Sequence, residues 1–307
     1  MKRRLIKQGA GGYTLYLPKK WADQRQLQAG DEVDVEETTD ALIIRAGSRV
    51  RKELTILLQK ETREEIYVKL SHAYRIGVER IVVRYRDPKT LTRIKEVCQG
   101  LLGFEVTLQE AGKCILENIT EPTEEKYPVL LRRIFLQVKE TYFLTRADLE
   151  QEKVDNVEEM KVMRQSVDKH IFFCRRMLLK YAATGSNTVL EWELLTFLMH
   201  MQHNLFYLYQ YYTKRPGEIN QKTKVILKEL EQYLDWYYQA YFEKKELYLD
   251  LMQEQKNKTE QEIYAELRNP RNHDKIILAH LKELLRLGYV GGSPIRALLV
   301  SAELELK

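Results

Sequence analysis

Tyr13-Thr14-Leu15-Tyr16-Leu17-Pro18-Lys19-Lys20-Trp21, followed by Gly30-Asp31-Glu32-Val33-Asp34-Val35 and then Leu42-Ile43-Ile44, decides how the first part of this chain folds. Residues 13–17 alternate across two faces as a strand does, and Pro18 stops them. Proline suits the first turn of a helix, so a short helix is predicted from Pro18 to about Leu27. Gly30-Asp31 turns the chain into a strand at Val33–Val35, and Leu42–Ile44 closes the unit after an acidic turn. Upstream, Lys2 to Lys7 reads as a basic strand, and Gly9-Ala10-Gly11-Gly12 as a turn that needs a permissive backbone. Such short elements in residues 1–47 are too few to bury a core without disulfides or a metal. Pairing with a second copy is the economical solution, so a homodimer through this segment is expected.

Charge is segregated along the same stretch. Lys2, Arg3, Arg4, Lys7, Lys19, Lys20 and Arg25 stand against Asp23 alone in residues 1–25, whereas residues 31–40 carry six carboxylates and no base. The formal net charge of +5 over 307 residues would not by itself imply a nucleic-acid partner, because that argument needs charge gathered on one surface. Here the gathering is local.

With its strand, Pro18-Lys19, helix, Leu27, Gly30-Asp31, alternating strand and closing apolar run in order, the segment resembles the AbrB/SpoVT swapped-hairpin family. The resemblance implies an intertwined dimer whose basic strands and loops face double-stranded DNA. Lys2, Arg3, Arg4, Lys7, Lys19 and Lys20 are the positions that would do so, by neutralising phosphates and releasing counterions. The other reading of these bases is a solvated surface on a module that only dimerises. The Gly9–Gly12 turn lacks the Gly-Lys-Ser/Thr ending of a nucleotide-binding loop.

Composition excludes several classes. No run approaches the roughly 20 apolar residues of a membrane span, and Met1-Lys2-Arg3-Arg4-Leu5-Ile6-Lys7 runs into Gln and Gly rather than a signal-peptide core, so a cytoplasmic protein without membrane insertion is expected. Cys98, Cys114 and Cys174 are scattered, with neither a disulfide framework nor a zinc-ribbon spacing.

The fold class expected is multi-domain α+β: a small swapped-hairpin β domain (1–47), a βαβαββ connector (50–120) and a mainly α bundle (121–307). In the connector, strands are predicted at Leu54–Leu58, Arg80–Tyr85, Phe104–Leu108 and Cys114–Leu116, with helices at Arg63–Arg75 and about Thr90–Gly100. Glu121-Pro122-Thr123-Glu124 marks a boundary. Beyond it helices are predicted over Glu125–Gln151, Asp155–Ala183 and from Asn187 to about Tyr212, the last entered through Gly185-Ser186-Asn187. One long helix is then predicted from Ile219 to about Lys256, short ones at Thr259–Leu267 and His273–Leu287, and a strand over Ile295–Leu306. Long helices joined by short turns make an antiparallel bundle.

Glu158 to Arg176, acidic residues leading into an aromatic-rich stretch and a trailing arginine, is similar to the second helix of a repeat in the PhoU family. Joined to an AbrB-type head, such a body is an arrangement associated with archaeal phosphate uptake regulators. PhoU helices hold iron or zinc through acidic pairs four residues apart, yet here Arg164 stands where the partner of Asp168 should be. Asp155 with Glu159, and His200 with His203 on one helical side, are the remaining weak metal candidates, and no metal or other cofactor is expected. The tyrosine-rich runs at 206–212 and 237–242 fit core and subunit contacts. No nucleophile elbow, complete nucleotide loop or matched carboxylate pair calls for catalysis, so the chain is not expected to be an enzyme. A DNA-binding transcriptional regulator of phosphate uptake or homeostasis is the first reading. The alternative is a dimeric adaptor that binds no DNA and docks on a phosphate transporter or signalling kinase.

Overall fold

The computed structural model describes residues 3–9, 11–37, 42–46, 52–120, 125–181, 187–269 and 271–305. Lys2, the acidic turn at 38–41, the boundary at 121–124 and Gly185-Ser186 lie outside the described residues. The fold is mixed α and β, with small sheets in the first part of the chain and a helical body after them. Two compact units divide it, Met1–Arg51 and Lys52–Lys307.

In the first unit, β1 (Ile6–Gln8) pairs antiparallel with β2 (Gly12–Thr14), and β3 (Val33–Glu37) with β4 (Leu42–Ala46). Between the hairpins lies α1 (Lys19–Gln24), opened by Pro18, whose carbonyl accepts from the Trp21 and Ala22 amides. Gly30 adopts φ +100°, a left-handed value that favours glycine, and the Asp31 carboxylate accepts from the Gln28 amide at 2.7 Å to close that turn. None of the described residues up to Ala46 is buried. Leu5, Tyr13 and Tyr16 are 65%, 70% and 66% exposed, and Ile6, Leu15, Val35 and Leu42 are exposed as well.

The second unit begins with a four-stranded sheet ordered β5-β6-β8-β7, from β5 (Glu53–Leu57), β6 (Arg80–Arg84), β7 (Phe104–Glu110) and β8 (Lys113–Asn118). β5 and β6 run parallel and the other pairs antiparallel, with α2 (Arg63–Arg75) and α3 (Thr90–Cys98) as crossovers. Thr62 caps α2 by accepting from the Glu65 amide, and the Glu65 carboxylate accepts from the amides of Gln59, Lys60 and Glu61. Burial alone would raise the Glu65 carboxyl, but Lys69 and these amides bring it down to about 2. Glu61 is buried and reaches across to the next crossover, where its carboxylate accepts from the Arg86 and Asp87 amides and the Thr90 hydroxyl. One carboxylate thus fixes the start of α3.

Among the described residues six helices complete the unit: α4 (Lys126–Gln151), α5 (Val157–Tyr181), α6 (Thr188–Lys214), α7 (Gln221–Phe242), α8 (Leu247–Arg268) and α9 (Lys275–Glu305). Chain neighbours α4/α5, α5/α6, α7/α8 and α8/α9 pack together, and α6 also packs on α9. Stripes at three- and four-residue spacing meet in one core, with Leu194, Leu198, Met201, Leu205 and Leu208 of α6 fully buried. The α4–α5 turn is held by buried Asp148, which accepts from the Tyr209 hydroxyl, the Asn156 side-chain amide and the Asp155 backbone amide. The α/β layer joins the same unit, since Arg176 of α5 donates to the carbonyls of Tyr74 and Val78 and α2 packs on α5.

Four expectations are corrected. The helix predicted from Ile219 to Lys256 is two helices, because Lys244 turns left-handed at φ +53° and the chain reverses so that α7 and α8 pack on each other. The short helix predicted at Thr259–Leu267 is the last part of α8, and that at His273–Leu287 the first part of α9. The strand predicted at Ile295–Leu306 is helical, since α9 continues through Gly291-Gly292-Ser293-Pro294 to Glu305. A methyl group on Gly291 would stand 2.5 Å from the Tyr237 hydroxyl, and one on Gly288 would stand 2.4 Å from the Tyr233 ring. These glycines therefore serve close packing of α9 on α7 rather than a turn, and Tyr233 and Tyr237 donate to the Leu285 and Gly291 carbonyls.

Candidate functional site

In the first unit Arg3, Arg4, Lys7, Lys19 and Lys20 are all exposed. Lys7 lies in β1 opposite Tyr13, Arg3 and Arg4 precede that strand, and Lys19 and Lys20 open α1. Among the described residues none of the five has an ion-pair partner, so their charge is open to an external anion. Lys2, expected among them, lies outside the described residues.

The metal candidates do not come together as the spacing suggests. Asp155 precedes α5 instead of lying on it, so Asp155 and Glu159 are not one turn apart on a helix, and both are exposed. Asp168 is buried on α5 and lies against His203 of α6, with Nε2 2.8 Å from Oδ1, while His200 is exposed one turn earlier. Partial burial and the charges of His203 and Arg175 pull the His200 imidazole below its ordinary value. No three His, Cys, Asp or Glu side chains gather to hold a metal ion among the described residues. Burial pushes the Cys98 and Cys114 thiols up to about 11, and Cys174 higher still, which makes these thiols poor nucleophiles.

Comparison with known protein families, curated proteins and solved structures finds no match.

Around Asp168 more side chains meet than their spacing announces. Arg164, Asp168, Phe172 and Arg175 follow one edge of α5, Tyr67 and Arg75 approach from α2, and Trp192, Thr196, His203 and Tyr207 from α6. The guanidinium of Arg75 lies 5.7 Å from the Phe172 ring centre, that of Arg164 4.9 Å from Phe206 and 5.7 Å from Tyr207, and that of Arg175 5.0 Å from Trp192. Arg175 also donates to the Thr196 hydroxyl at 2.7 Å. Burial lowers the Arg175 guanidinium to about 10, with Arg75 adding repulsion, and burial together with Asp168 pushes the Tyr67 phenol up to about 12. Arg75 and Arg175 carry no distinctive spacing. The available signal was two consecutive arginines, Arg175-Arg176, inside an apolar stripe.

A second polar group sits under the last part of α9. Glu191 accepts from the Tyr127 and Tyr241 hydroxyls at 2.8 and 2.7 Å, beside a cleft of about 590 Å³ that Arg132 and Lys244 also line. Burial raises its carboxyl and the two phenols oppose that rise. A larger cleft, about 800 Å³, lies where α6, α8 and α9 meet and is lined largely by apolar groups such as Phe197, Leu249 and Met252. Among the described residues no helix is long and apolar enough to cross a membrane.

Proposed function

We propose that the chain is a dimeric, DNA-binding transcriptional regulator of phosphate homeostasis, with an AbrB/SpoVT-like head at residues 1–47 and a PhoU-like helical body that receives the signal. The observation that carries this reading is the head's lack of an interior: no described residue up to Ala46 is buried, while seven large apolar side chains lie exposed beside five unpaired bases. Apolar surface on this scale is removed from water by a second copy, and two-fold pairing doubles the cationic set into a surface that matches a duplex. The phosphate assignment draws on the resemblance of residues 158–176 to PhoU.

A gel shift against salt tests it. If each chain meets about four phosphates, the dimer loses affinity with a log–log slope of roughly −7, and Lys19→Glu with Lys20→Glu flattens that slope. No retardation of the DNA upstream of its own coding sequence at about 50 mM salt overturns the reading in favour of the adaptor.

A further inference from the structure

We propose that the outer face of α4 is a contact between two copies of this chain, with the two α4 helices packed antiparallel about a two-fold axis at Leu136. Val129, Leu136 and Phe143 are 67%, 48% and 48% exposed. Steps of seven residues are two helical turns, so these three side chains make one apolar ridge along the helix. Both flanks of α4 are already occupied. Gln137 donates to the Ser166 hydroxyl of α5 on one side, and Lys139 and Arg146 pair with Asp235 and Glu231 of α7 on the other. The ridge lies between them, on the side of α4 away from the core that α4 shares with α6.

Charge decides what covers it. Arg133 and Glu140 border the ridge on its α5 side, one turn before and one turn after Leu136. Both are exposed, and among the described residues neither has an ion-pair partner. Base before acid becomes acid before base on a helix that runs the other way. Turning a second α4 about Leu136 therefore sets Arg133 of each copy beside Glu140 of the other, and Val129 opposite Phe143. Arg132 and Lys139, basic on the opposite flank, are drawn aside onto the Phe242 ring and Asp235. The patch is thus complementary to itself, as contact with a second copy requires. One helix face falls well short of the roughly 1,600 Å² of a standard stable interface. The contact is therefore weak: it adds to the pairing of heads proposed above, does not depend on it, and does not hold a dimer through sedimentation by itself.

Cysteine cross-linking of the full-length protein at about 100 µM, a concentration that populates weak contacts, is the test. Cys98, Cys114 and Cys174 are buried, so an introduced thiol is the reactive one. Leu136→Cys, at the axis, is expected to give a disulfide-linked dimer under copper-catalysed air oxidation. The exposed control positions Tyr264→Cys on α8 and Ile276→Cys on α9 give far less. In the Leu136→Cys protein, Arg133→Glu alone or Glu140→Arg alone slows the cross-link roughly tenfold, because each substitution is met twice across the two-fold. Both together restore it, since the exchanged charges again face their opposites; a loss of helix stability would not be repaired in this way. Leu15→Asp with Tyr16→Asp, which unpairs the heads, leaves the preference for Leu136→Cys in place, so this contact and the head pairing can fail separately. Absence of a cross-link at Leu136→Cys, equal yields at the control positions, loss of the preference when the heads are unpaired, or charge reversals that add instead of cancelling overturns it.

Discussion

Between Arg3 and Ala46 the described chain buries no side chain, whereas from Ile56 onward whole helices bury their apolar stripes against one another. The two regions are built from similar residue types, with apolar positions alternating in the strands of the first and spaced by three and four in the helices of the second. What separates them is how much surface each can cover with its own chain. Short two-stranded hairpins expose both faces, while α6 is surrounded by α4, α5 and α9. A region that cannot bury its apolar face alone is suited to a symmetric partner, and one that can is suited to internal sites.

The contrast breaks most sharply at Leu15 and Tyr16. Replacing both by Asp removes two large apolar groups from each chain of the proposed dimer at about 2 kcal/mol each, about 8 kcal/mol in all, so sedimentation of the full-length protein is expected to show monomer alone, with the thermal transition of the helical body unmoved. Dimerisation unaffected by the pair would break the comparison. Leu205→Ala does the reverse: it opens a cavity in the fully buried stripe of α6, lowers unfolding stability by about 3 kcal/mol in urea titrations, and leaves subunit association alone.

A third outcome sharpens the comparison through pH. Burial, with Arg133 and Lys169 nearby, holds the His170 imidazole down to about 4 against its ordinary 6.5. The unfolded chain therefore takes up a proton before the folded one, and stability falls as pH drops from about 6.5 to about 4, by at most about 3 kcal/mol. His170→Gln is expected to remove that slope in denaturation measured across the window; an unchanged slope would assign it elsewhere. Smallest is Gly291→Ala, where the new methyl meets the Tyr237 hydroxyl and costs about 2 kcal/mol by calorimetry, against the gain in stability usual for such a change in an open helix.

Elements announced by local chemistry were legible before any coordinates. β-branched Ile81-Val82-Val83 marks β6, and Pro18 marks α1. The α7–α8 break carries no such signal: Phe242-Glu243-Lys244-Lys245-Glu246 contains neither glycine nor proline, and the reversal depends on α8 finding a place against α7. Gly291-Gly292-Ser293-Pro294 has the opposite fault, signalling an end that tertiary packing overrides. At the candidate sites the exposed bases of the head were legible as a charge run, and Arg164 as a misfit beside Asp168. Arg75 was hidden because it reaches the Phe172 ring from a helix much earlier in the chain, a juxtaposition that exists only after folding.

The contact of Tyr233 and Tyr237 with Gly288 and Gly291 has a mechanical consequence. Aromatic rings seated against bare backbone act as pegs, and shifting α9 lengthwise by a single residue would drive the side chains of Leu287, Tyr289 or Val290 into them. Those two helices have no gearing between intermediate positions; they travel as one rigid rod pair, and any displacement of the carboxyl-terminal helix must carry its neighbour with it.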